Sequence, residues 1–212
     1  YKPNEKAKVL TKPSNNSQAD IMQVFKFKCD NSIKETAAVQ VLNSILTNSS
    51  IGLFNVLREK EHLAYSVYSS ILKHGDCGTV SCNILTTTDN KDIGEYSYEN
   101  VQKSINGFNR QIEALKSGEF TDKDLANAKL AIKAELLNNE GINAKVGTIT
   151  SALCQGKPIN YDNKLYKAID ALTREDVIEF AKRAFANKPT YSIVASKDTL
   201  KNNKEFLDSL AV

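Results

Sequence analysis

The chain has 212 residues, 41% of them apolar and 25% charged, which is enough for one well-buried core. Its net charge is only +3, with lysines interspersed among acidic residues, and this argues against a dedicated nucleic-acid surface. No window approaches the ~20 apolar residues of a membrane-spanning helix, and the polar start, rich in Lys, Asn and Pro, shows no signal-peptide pattern.

Residues 1–18 read as a linker or irregular lead-in, given Pro3, Pro13 and the run Ser14-Asn15-Asn16-Ser17. Asp20 to Lys28 reads as a strand carrying Ile21, Val24, Phe25 and Phe27. Ser32 then offers an N-cap, and Glu35 three residues on suggests a capping box. The helix that follows has Ala38, Val41, Leu42, Ile45 and Leu46 on one face, and Asn48-Ser49-Ser50 should end it. Gly52 to Lys60 reads as a short helix with Leu53, Val56 and Leu57 inward.

Tyr65 to Leu72 and Thr79 to Thr87 read as two strands joined at His74-Gly75-Asp76, an antiparallel hairpin. In the second, Val80, Cys82 and Ile84 alternate with Thr79, Ser81 and Asn83, the sign of a sheet covered on one face. A helical block follows. Its first stripe is Val101, Ile105, Phe108, Ile112 and Leu115, ended by Gly118. Thr121 caps a second helix, with the stripe Leu125, Ala128, Ile132 and Leu136. Further helical turns run from about Ala144 to Leu153 and break at Gln155-Gly156-Lys157-Pro158. Thr173 with Asp176 starts another helix through Val177, Phe180, Ala181 and Ala184. Tyr191 to Ser196 reads as a last strand and Thr199 to Leu210 as a last helix. The order implies an α+β fold: a two-layer sandwich with a mostly antiparallel sheet and helices packed on one face. Residues 19–212 read as one domain.

The inventory of chemical groups is sparse. The two histidines, His62 and His74, lie on separate segments, and neither HExxH nor the inverted HxxEH occurs. Zinc catalysis needs three protein ligands and a water, so no metal is expected on this chain. No GxSxG elbow, phosphate-cradling GK[ST] loop or GxGxxG turn is present. Cys29, Cys77, Cys82 and Cys154 are scattered with no CxxC pair, which predicts free thiols and a reducing compartment such as the cytoplasm.

One segment is specific: Leu53-Phe54-Asn55-Val56-Leu57-Arg58-Glu59-Lys60-Glu61-His62-Leu63-Ala64-Tyr65-Ser66-Val67-Tyr68-Ser69. An apolar short helix, Leu-Arg-Glu-Lys, a small connection and Ala-Tyr before a strand resemble the non-catalytic, zinc-free C-terminal half domain of the insulinase/pitrilysin family of zinc metallopeptidases. His62 departs from that pattern, which often has Gly or another residue there. The resemblance implies two similar α+β halves that close around an unfolded peptide. A zinc-bearing half, in the same polypeptide or a separate subunit, would carry HxxEH. By position, this half would offer Arg58 and Tyr65 for substrate binding or oxyanion stabilisation, with no catalytic residue of its own when alone. Arg58 has the forked donors for a peptide carbonyl or carboxylate. Tyr65 has a phenol suited to a developing oxyanion. The expected partners are the zinc half and a peptide substrate, with neither nucleic acid nor membrane. The alternative from the same fold is a structural or interaction subunit with no peptidase role. A third is an unrelated α+β binding module.

Overall fold

The computed structural model describes residues 1–30, 32–138, 141–154 and 156–211. The strands are β1 (Lys8–Ser14), β2 (Gln18–Lys28), β3 (Ser66–His74), β4 (Cys77–Thr87), β5 (Asp89–Asn90), β6 (Glu95–Tyr96) and β7 (Thr190–Ser196). Five of them form one sheet in the order β1-β7-β2-β4-β3, while β5 and β6 make a small separate ribbon. All pairings in the large sheet are antiparallel except β1 with β7. The helices are α1 (Ile33–Asn48), α2 (Asn100–Ser117), α3 (Asp122–Asn138), α4 (Ile142–Cys154), α5 (Tyr161–Ala171), α6 (Arg174–Ala184), α7 (Lys197–Asn202) and α8 (Lys204–Ser209). A π-helix spans Phe54–Lys60.

Side-chain alternation decides which face of the sheet is covered. On β2, Ile21, Gln23, Phe25 and Phe27 are buried, while Asp20 and Met22 point away and are exposed. On β4 Asn83, on the other side between Met22 and Tyr68, is also only 5% exposed, while Val80, Cys82 and Ile84 are buried on the same side as the β2 set. Helices α1, α2 and α6 pack against this side of β2, β3 and β4, giving the two-layer α+β sandwich expected from the sequence. The stripe of α2 is buried throughout, and Gly118 ends the helix at φ +77°, a left-handed conformation that costs glycine nothing. Gly78 meets a different demand. A Cβ there would lie 2.2 Å from Cζ of Phe27, its cross-strand partner, whose ring packs edge-on against Phe180 with 5.4 Å between centroids.

Several readings are corrected. Within the supposed irregular lead-in, Lys8–Ser14 is an edge strand on β7, its partner far along the chain. Pro13 is tolerated because an edge strand can leave one side unpaired. Tyr161–Ala171, left unassigned by the sequence pattern, is helical with only Leu165 and Ile169 fully buried. The expected last helix is two short ones divided at Asn203. At Ser32 only half of the expected capping box forms. Ser32 Oγ accepts from the Glu35 amide at 3.0 Å, but the Glu35 carboxylate accepts from the Asp30 amide instead. The box at Thr173 and Asp176 is complete. Of the loop 155–158, Gln155 lies outside the described residues.

Glu35 has a second task. It is 3% exposed, and its carboxylate pairs with Lys73 Nζ at 3.2 Å and Arg183 Nη1 at 2.7 Å. One buried carboxylate thus ties α1 to β3 and α6.

Candidate functional site

The segment 53–65 runs from the end of α1 to the start of β3, and its backbone is fixed at both ends. At the near end Gly52 makes a close turn, where a Cβ would sit 2.7 Å from the Ser49 nitrogen and the Thr47 carbonyl oxygen. Asn55 Nδ2 donates to the carbonyls of Asn48 at 2.9 Å and Ser49 at 2.8 Å, satisfying groups that the end of α1 leaves open. The following turns are wound as a π-helix rather than the ordinary short helix expected from Leu53, Val56 and Leu57. Its characteristic bond runs from the Glu61 amide to the Val56 carbonyl, five residues back, at 3.0 Å.

Packing sets the orientation. Leu53 and Leu57 are fully buried and Val56 partly so. Leu57 lies against Gly107 of α2, where a Cβ would come within 2.5 Å of Cδ2. With Leu57 inward, Arg58, Glu59 and Lys60 fall outside. The chain then leaves the helix through His62 at φ +50°, the one described non-glycine residue with positive φ. A left-handed backbone of this kind favours glycine, which is a residue the resembled pattern often has there. Past it, the Leu63 amide bonds the Leu57 carbonyl at 2.8 Å and Thr86 Oγ1 donates to the Leu63 carbonyl at 2.6 Å. The Tyr65 amide bonds the Leu85 carbonyl at 2.9 Å, and Arg110 of α2 pairs with Glu61 at 2.5 Å.

Both side chains singled out from the sequence reach solvent. Tyr65 is 72% exposed, and among the described residues its hydroxyl has no hydrogen-bond partner. The Arg58 side chain is 46% exposed. Its guanidinium stands over the Phe54 ring at 5.0 Å, and Nε lies 3.7 Å from Glu59. These are weak restraints, a surface ion pair and a cation–π contact, each worth about 1 kcal/mol or less.

Among the described residues no three His, Cys, Asp or Glu side chains converge in a way that would hold a metal ion. The four cysteines are unpaired. Burial pushes the Cys29 thiol up to about 11 and Cys82 up to about 12, so neither supplies the thiolate a nucleophile needs at neutral pH. No described helix is long and apolar enough to cross a membrane.

The family model for the Peptidase M16 inactive domain matches residues 1–132, which include the whole segment 53–65. The chain belongs to the M16 peptidase family. The resemblance read from Leu53–Ser69 to the insulinase/pitrilysin peptidases is therefore correct at the family level. A curated relative, the mitochondrial-processing peptidase subunit beta of Saccharomyces cerevisiae, is 26% identical over 164 residues, which are 76% of this chain and 34% of that protein. Among solved structures, an M16 inactive domain from Pseudomonas fluorescens is similar at TM-score 0.72 and 20% identity, over 92% of this chain and 46% of that one. A protease from Helicobacter pylori is similar at TM-score 0.73 and 17% identity, over 90% and 44%. The chain thus spans about a third of the yeast subunit and less than half of either bacterial chain.

Sequence reasoning missed the π-helical winding and the left-handed His62. The glycine preference at His62 was the signal available for the second; for the first, no residue type in Phe54–Lys60 announces a wider helix.

Proposed function

We propose that this chain is the substrate-binding, zinc-free half of a zinc-dependent endopeptidase acting on unfolded peptides. It completes the active site of a zinc-bearing half, in the same polypeptide or a separate subunit. The observation that carries this reading is the state of Arg58 and Tyr65: two exposed donors with almost no internal partners, on a backbone held rigid on both sides. Such pre-positioning is what electrostatic stabilisation of a developing charge requires.

In the assembled enzyme the zinc of the partner half would polarise the scissile carbonyl and activate water. The residues of this chain bind and orient. Tyr65 offers its hydroxyl proton to the carbonyl oxygen as that oxygen gains charge. Arg58 clamps a neighbouring peptide carbonyl or a carboxylate with its fork of donors. Leu57 and Gly107 hold the π-helix backbone that carries Arg58, and the Leu85 carbonyl holds the backbone at Tyr65.

Reconstitution tests this. The chain alone should bind no stoichiometric zinc after dialysis against a weak chelator and should not cleave an unfolded peptide. Mixed with its matching zinc half, it should restore cleavage. Robust cleavage by the chain alone, insensitive to chelators, would overturn the reading. A complex that forms without activity would favour the structural-subunit role.

A further inference from the structure

The uncovered face of the sheet has a charge distribution that the peptidase reading does not use. Register places Leu10, Ser192, Met22, Asn83 and Tyr68 in one row across all five strands, on the side away from the helices. Neighbouring rows carry Lys8 with Thr190 and Val24, and Lys12 with Val194 and Asp20. Leu10, Met22 and Tyr68 are exposed at 58%, 38% and 50%. The β3–β4 half of the face is neutral, with Ser66, Ser70, Ser81 and Thr79. The β1–β2 half is basic. Residues 1–28 contain six lysines against Glu5 and Asp20, a surplus larger than the net +3 of the whole chain.

At one end of this half lies a surface pocket of about 450 Å³ lined by Lys2, Lys6, Lys8 and Lys26, with Glu5 the sole acid. The pocket wall is anchored. Asn4 Nδ2 donates to the Lys188 carbonyl at 3.1 Å and to Thr190 Oγ1 at 3.0 Å, Ala7 is buried, and the Lys8 amide bonds the Pro189 carbonyl at 3.1 Å. Asn187 Nδ2 holds the Lys26 carbonyl at 2.8 Å. Some lysines elsewhere are spent on ion pairs, as Lys73 is on Glu35 and Lys133 on Asp170. Among the described residues Lys2, Lys6, Lys8, Lys12 and Lys26 form none.

We infer that this pocket and the basic rows beside it are a subsite for acidic side chains of an extended peptide crossing the open sheet face. The inference rests on the peptidase reading for the direction of the peptide towards Tyr65. The lining has no aromatic ring on which a nucleobase could stack, and the adjoining Leu10, Met22 and Tyr68 suit peptide side chains. Geometry also gives a spacing. Ser66 pairs with Leu85, which pairs with Asp20, so Tyr65 stands one residue beyond the level of Asp20. Lys26 is then seven residues further along β2, roughly 23 Å, and β2 lies about 10 Å from β3 across two strand intervals. The separation of about 25 Å corresponds to about seven to eight residues of extended chain. The preferred substrate therefore carries Asp or Glu about seven to eight positions from the residue at Tyr65.

Two measurements test this. The first is direct binding of fluorescent peptides to the chain by anisotropy, comparing a Glu/Asp-rich peptide with its Gln/Asn counterpart. The acidic peptide should bind about 10-fold tighter at 50 mM salt, and the difference should shrink towards about 2-fold at 300 mM as screening sets in. The triple substitution K6E/K8E/K26E should erase the preference, whereas the control K164E/K167E/K201E, of equal charge change, should keep it. Equal binding of the two peptides, retention of the preference in K6E/K8E/K26E, or tighter binding of an oligothymidine would overturn the subsite. Because no turnover is read, inactivity of the reconstituted enzyme would not decide this test. The second measurement uses the complex with the zinc half and a Glu-Asp pair walked along one peptide. KM should pass through a minimum at the spacing above, and a flat profile would overturn it.

Discussion

Two charged groups of this domain are held in opposite ways. Glu35 is 3% exposed and gathers Lys73, Arg183 and the Asp30 amide around one carboxylate, joining three elements. Arg58 is half exposed and has only a neighbouring glutamate at 3.7 Å and the Phe54 ring. The first charge is consumed inside the molecule. The second is presented outward, and the rigidity around it comes from Leu57, Gly107 and backbone hydrogen bonds rather than from its own contacts. Charge used for architecture and charge reserved for a partner can thus be told apart by what each already touches.

The comparison breaks if the two charges respond alike to removal. Glu35→Ala should cost about 3 kcal/mol in urea unfolding, the lower end for breaking a buried pair, because the Arg183 side chain is 43% exposed. Arg58→Ala should stay within about 0.5 kcal/mol of the parent. Gly107→Ala sharpens the second half of the comparison. Its methyl would meet Leu57 Cδ2 at 2.5 Å, so the substitution should cost about 1–3 kcal/mol by overpacking and displace the π-helix that carries Arg58. Paired thermal melts and turnover of the reconstituted enzyme should both fall.

A smaller effect belongs to His62. Left-handed backbone costs a non-glycine residue roughly 1–2 kcal/mol, and glycine returns about 0.5–1 kcal/mol of that through unfolded-chain entropy. His62→Gly should therefore raise stability by about 0.5 kcal/mol, measured as a shift in the unfolding midpoint; a loss would show that the imidazole is anchored. A pH-dependent effect belongs to Asp124, which latches the start of α3 to Ser50. Burial alone would raise its carboxyl, but bonds from the Ser50 hydroxyl and amide and from Thr121 hold it at about 2, below the usual 3.8. A depressed carboxyl stabilises the fold above its unfolded value, and that contribution is lost as pH falls from about 4 through about 2. NMR titration should show the Asp124 carboxyl moving upward in Ser50→Ala.

Elements whose signals are local were legible in the sequence. The Ser32 cap, the Thr173–Asp176 box, the Gly118 stop, the α2 stripe and the β4 alternation all act within a few residues, and each appears where the pattern placed it. Elements defined by distant partners were not. β1 has one half-buried inward aliphatic residue, Val9, and owes its form to β7. α5 buries only Leu165 and Ile169 fully, too narrow a stripe to stand out. At the site, the positions of Arg58 and Tyr65 on an apolar helix and a strand start were readable. Their exposure was not, because it depends on Leu57 finding Gly107 on a helix fifty residues later. The Glu35 cluster drew its lysine and arginine from β3 and α6, which no spacing rule connects.

The central claim, that this half domain lends Tyr65 to a zinc site on its partner, is tested most directly by Tyr65→Phe in the reconstituted enzyme. Loss of one oxyanion donor should lower kcat by roughly 10- to 1000-fold, with KM for the peptide and the unfolding midpoint of the chain nearly unchanged. Unchanged turnover would contradict the claim and leave the segment 53–65 as a folding element of a structural subunit.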